Sequence, residues 1–109
     1  MHVAEAQVKS EQASRYLVQL CKHFAHKRPA DYDASRGWVD FQPGLCVMQA
    51  VGDRLTLRCE APSEQRLHIV KETVEVHLAR FAWRETIAVN WTEGENSADQ
   101  NRQASDTSL

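Results

Sequence analysis

The chain has 109 residues, the length of one compact domain, and its 42% hydrophobic and 26% charged residues exclude a disordered or fibrous protein. A formal net charge of −2 supplies no basic field for nucleic acid, and no apolar run reaches the ~18–20 residues of a membrane span. The opening residues Met1-His2-Val3-Ala4-Glu5 carry neither a basic nor an apolar leader region, so a cytoplasmic protein is expected.

Residues 11–28 read as a helix. Ala13, Leu17, Leu20, Cys21 and Phe24 recur at i, i+3, i+4 and i+7 and form one apolar stripe. Ser10 or Ser14 suits its start. Lys22, Lys27 and Arg28 lie where the helix dipole favours cations, and Pro29 stops it. From 30 to 61 the period shortens to two. Ala30–Asp33 reads as a short strand, and Ser35-Arg36-Gly37 as a turn into a second at Trp38–Phe41. Pro43-Gly44 is a turn pair. Leu45–Val51, nearly all apolar, reads as a central strand. Gly52-Asp53 is a two-residue hairpin signal. In the partner strand Arg54–Glu60, Leu55, Leu57 and Cys59 point one way, while Arg54, Thr56 and Arg58 point the other.

Ser63 and Glu64 open a second helix by capping and charge. Leu67, Val70, Val74, Leu78 and Phe81 trace its core stripe to about Trp83. Thr86–Trp91 alternates again, with Ile87, Val89 and Trp91 inward, and reads as the last strand. Residues 93–109 are polar, with four carboxylates (Glu93, Glu95, Asp99, Asp106) against Arg102. Such a segment has too little to bury to offset its ordering entropy, so a disordered acidic tail is expected after a domain at 1–92.

The order is thus α-β-β-(β)-β-α-β. Strands that alternate apolar and polar have one covered face. The expected fold is therefore an α+β two-layer sandwich, with two helices on one face of a mainly antiparallel, four- to five-stranded sheet. Edge strands leave room for a homodimer.

Cys21, Cys46 and Cys59 are odd in number and lack CxxC spacing, which excludes a disulfide framework or a zinc knuckle. They read as small buried hydrophobes. Trp38, Trp83 and Trp91 read as core or rim residues. There is no glycine-rich phosphate loop, no GxSxG elbow and no recognisable carboxylate pair, so catalysis and cofactor binding have no sequence support. A Cys21 nucleophile with His23 or His77 as base conflicts with the place of Cys21 on the core stripe.

The chemistry-bearing residues collect on the helices. His23 and His26 lie off the first helix's core stripe, and His77, Arg80 and Arg84 share one flank of the second. Three readings follow. The side chains are solvated, with the arginines paired to Glu85 or Glu75. Or His23, His26, Lys27, His77, Arg80 and Arg84 line a groove between the helices that binds a small anion or a protein partner, since arginine forks suit carboxylate and phosphate. Or His23, His26 and His77, with Cys21 nearby, hold a metal, although no HExxH or paired cysteine supports this.

The runs Ala13-Ser14-Arg15-Tyr16-Leu17, Leu20–Lys27, Gly44-Leu45-Cys46 and His77–Glu85 resemble the bacterial domain-of-unknown-function family 2218, over about residue 5 to Trp91. The resemblance implies a small bacterial stand-alone protein. Some relatives are joined to a siderophore-interacting flavin reductase domain, which implies a link to iron or redox physiology. It carries over no catalytic residue.

Overall fold

A computed structural model of the chain describes residues 1–95. The elements are β1 (His2–Lys9), α1 (Ala13–Phe24), β2 (Ala30–Tyr32), β3 (Arg36–Asp40), β4 (Leu45–Val51), β5 (Arg54–Ala61), α2 (Glu64–Phe81) and β6 (Thr92–Glu95). The strands form one six-stranded antiparallel sheet in the order β2-β3-β4-β5-β1-β6. The α+β class and the two helices over one antiparallel sheet agree with the sequence reading. The strand count does not.

The extra strand is β1, which pairs with β5 along its whole length and with β6 at its start. Its inward residues are Ala4, Ala6 and Val8. Alanine is a weak strand former, so the alternation there leaves little hydrophobic signal in the sequence. At the other end, residues 86–91 take no regular structure, although Ile87, Val89 and Trp91 do pack against the core. The last strand comes later, at Thr92–Glu95, so Glu93–Glu95 belong to the sheet rather than to a tail. It is held by contacts far apart in sequence: Lys71 pairs with Glu93, and the Trp91 indole donates to Glu75 at 2.9 Å. The remainder of the expected acidic tail lies outside the described residues.

One face of the sheet is covered. Val39, Cys46, Met48, Leu55, Leu57 and Cys59 meet Leu17, Leu20 and Cys21 of α1 and Leu67, Val70, Val74 and Leu78 of α2 in a single core. The register makes this a shared face, because Ala4, Cys59, Cys46 and Val39 stand opposite one another across four strands. The hairpin closes through Gly52, at φ 58°, and Asp53, leaving Val51 opposite Arg54.

Each helix starts differently. Ser63 caps α2 by accepting from the Arg66 N–H at 3.2 Å, as expected. Gln12 caps α1 without a side-chain bond, and neither serine acts as cap. Ser10 is buried; its hydroxyl accepts from the Gln12 N–H at 3.0 Å and donates to Glu85, while the Ser14 hydroxyl donates to the Ala34 carbonyl at 2.6 Å. α1 ends at Phe24, and the chain turns through 25–28 before Pro29. All three thiols are free and buried, as expected. Of the tryptophans, Trp91 packs against the core, while Trp83 is 72% and Trp38 41% exposed.

Candidate functional site

α1 and α2 pack against each other on the covered face, so that the start of α1 lies beside the end of α2. Their seam has two adjoining parts. The first is an aromatic cluster. The His23 and His77 rings are 5.0 Å apart, Phe24 lies 4.8 Å from His77, and Phe81 lies 5.8 Å from His23. The Nδ1 of His77 is 2.7 Å from the Thr73 carbonyl, one turn earlier, and can only donate to it. This leaves Nε2 as the acceptor of the neutral ring. Partial burial lowers the pKa of His23 below the usual 6.5, and the neighbouring charges of His77, His26 and Arg80 lower it further.

The second part is a cavity of about 780 Å³ beside that cluster. Arg15, Arg80 and Arg84 line it, together with Tyr16, Phe81 and Trp83, the amides Gln12 and Gln19, and the carboxylates Glu11 and Glu85. Phe81 joins the two parts. The Arg84 guanidinium lies 4.8 Å above the Trp83 ring, a cation–π contact that holds the charge at the rim. The Gln19 carbonyl oxygen is buried without a hydrogen-bond partner among the described residues.

Glu85 is already engaged. The Ser10 hydroxyl lies 3.0 Å from each of its carboxylate oxygens, and the Tyr16 hydroxyl also donates to it. Burial, then the Glu85 hydrogen bond and charge, pushes the Tyr16 phenol above its ordinary value. Glu75 is spent on Trp91. The carboxylates expected to pair with the arginines therefore bond elsewhere. Among the described residues, none of Arg15, Arg80 and Arg84 has a carboxylate within 4.0 Å.

Of the six residues expected to share a groove, four come to the seam. His23 and His77 meet in the cluster, and Arg80 and Arg84 line the cavity. Arg84 does so from the turn after α2 rather than from the helix, which ends at Phe81 with Ala82 already at φ −101° and ψ 30°. His26 and Lys27 fall in the turn after α1, exposed and away from the cavity, because the helix stops at Phe24. The metal set fails for the same reason. Among the described residues no three His, Cys, Asp or Glu side chains converge as ligands, and His26 does not join His23 and His77. Cys21 lies within the core, where burial pushes its thiol to about 11 and keeps it protonated.

The sequence reading missed Arg15, Tyr16 and Gln19. A signal existed: Arg15, Gln19 and His23 are spaced by four and run along one side of α1, as His77 and Phe81 do along α2.

A family model described as an uncharacterized protein conserved in bacteria (DUF2218) matches residues 5–92. The NMR structure of PA4090 from Pseudomonas aeruginosa is similar to this chain, with a TM-score of 0.73 and 32% identity over 84% of this chain and 96% of that one. No curated protein matches the chain.

Proposed function

We propose that this chain, which belongs to the DUF2218 family of proteins conserved in bacteria, binds a small polyanion in the cavity between α1 and α2. One observation carries the reading: Arg15, Arg80 and Arg84 reach a single cavity without a carboxylate partner among the described residues. A planar guanidinium presents parallel N–H donors that match carboxylate and phosphate oxygens two at a time. Three of them favour a ligand with more than one negative charge. Phe81 and Trp83 add apolar surface on which the carbon skeleton of such a ligand can rest. Polycarboxylates and phosphorylated metabolites carry such charge.

His23 contributes through its charge. It stands within electrostatic reach of Arg80, and its pKa is lowered first by burial and then by the charges of His77, His26 and Arg80. An anion in the cavity favours its protonated form, so acidification tightens binding.

The test is a thermal-shift screen with citrate, inorganic phosphate and ferric citrate. A ligand at 100 times its Kd stabilises the fold by about 2.7 kcal/mol, and about 1 kcal/mol moves the midpoint of a domain this size by roughly 4–8 °C. A clear rise is therefore expected for citrate or phosphate, abolished by the exposed substitutions Arg80→Gln and Arg84→Gln. A rise with ferric citrate that exceeds the rise with citrate alone supports the alternative reading, an iron-linked accessory protein. No shift with any of the three refutes the anion reading, and so does an equal shift in both variants.

A further inference from the structure

The sheet face turned away from the helices carries a second, independent feature. Its residues fall into rows fixed by the strand register. At one end Asp40, Leu45, Glu60 and Val3 stand side by side across β3, β4, β5 and β1. Next come Asp31, Trp38, Val47, Arg58 and Glu5, then Arg36, Gln49, Thr56 and Gln7, and at the far end Val51, Arg54 and Lys9. Most of the carboxylates thus lie in the first two rows, and the last two rows hold only cations and neutral residues. Trp38, Val47 and Val51, exposed to 41%, 39% and 63%, form an apolar stripe along the β3–β4 side.

We infer that this face pairs with the same face of a second copy of the chain, about a two-fold axis that crosses the strands between Thr56 and Arg58. That axis reverses the row order while keeping each strand over its own copy. It sets Glu60 over Arg54 of the partner subunit and Leu45 over the partner's Val51. It places Trp38 over the partner's Arg36, with the two indoles meeting near the axis, and brings Glu5 toward the partner's Lys9. The alternative axis, along the strands between β4 and β5, sets Glu60 over the partner's Leu45 and Glu5 over the partner's Trp38, forms no ion pair and is disfavoured. Glu60 also pairs with Arg58 of its own chain at 3.1 Å, so Arg58 and the partner's Arg54 share its charge. Sheets packed face to face adopt such aligned geometry about 10 Å apart. The face spans roughly 24 Å across six strands and 20 Å along them, a small interface, and the dimer is of the weakly associating class.

Sedimentation of the whole chain from about 5 to 500 µM, a range that brackets weak association, tests the inference. Concentration-dependent conversion of monomer to dimer is expected. Val47→Asp, at an outward position that the fold does not need, remains monomeric. Arg54→Glu and Glu60→Arg each weaken association by roughly tenfold or more through like-charge contacts, yet an equimolar mixture of these two variants restores it, because both cross-axis pairs are then complementary. Circular dichroism confirms that each variant is folded, and the charge variants decide the matter if Val47→Asp is not. A wild-type monomer throughout overturns the inference. So does a Val47→Asp dimer, which moves the contact to a sheet edge or to the exposed Ile69 and Val76 of α2 and Trp83 after it. Failure of the mixture to recover association overturns the two-fold arrangement.

Discussion

His23 and His77 come from different helices, 54 positions apart in sequence, and their rings lie 5.0 Å apart in the α1–α2 seam. This meeting fixes how the helices pass each other, and it sets Arg15 and Gln19 of α1 facing Arg80 and Phe81 of α2.

His23 makes stability depend on pH. The His23 pKa is lowered in the folded chain, first by burial and then by the charges of His77, His26 and Arg80. Its protonation is thus easier in the unfolded chain. Both states are neutral at this group well above pH 6.5, so stability there is independent of it. Stability falls as the pH drops below 6.5 and on through the lowered folded value. Thermal midpoints measured from pH 8 to 5 should decline on the acid side, and His23→Gln should flatten that decline. With citrate or phosphate present the acid loss should shrink, since an anion favours the protonated ring.

Tyr16 and Ser10 tie Glu85, in the turn after α2, to the start of α1. Tyr16→Phe removes a buried donor and should cost about 1–2 kcal/mol. Chemical denaturation of Tyr16→Phe, Ser10→Ala and the double variant should show non-additivity, because both hydroxyls serve one carboxylate. Additive losses would mean that the two bonds act independently.

Gly37 sits where α1 presses closest on the sheet. A Cβ there would lie 2.6 Å from the Cys21 sulfur and 3.0 Å from the Tyr32 Cβ. Gly37→Ala should destabilise by about 1–3 kcal/mol through overpacking. Removing the sulfur with Cys21→Ala in the same chain should recover part of that loss, as measured by denaturant midpoint. The same burial makes Cys21, Cys46 and Cys59 silent to a thiol reagent in the native protein, and all three should react on unfolding.

The fold was legible where the sequence alternates strongly. The β4–β5 hairpin, with Leu55, Leu57 and Cys59 inward, and the stripe Leu67, Val70, Val74 and Leu78 on α2 appear as read. β1 was hidden because its inward positions are mostly alanine, and β6 because Thr92–Glu95 has no apolar residue. What holds β6 is its pairing with β1 and the reach of Lys71 to Glu93, neither of which leaves a local mark. The seam was half legible for a related reason. Helical spacing placed His77 and Arg80 on one flank, but the stop of α1 at Phe24, which removes His26 and Lys27, depends on the turn into β2. Arg15 entered the cavity only once the helix pairing was known.

The most direct test of the anion-binding cavity is an NMR titration of the ¹⁵N-labelled chain with citrate, following the arginine side-chain Nε–H signals. Those of Arg15, Arg80 and Arg84 should move together and saturate, while those of Arg36, Arg54 and Arg58 on the opposite sheet face stay fixed. Small drifts spread over all six, or signals that never saturate, would contradict a defined site between α1 and α2.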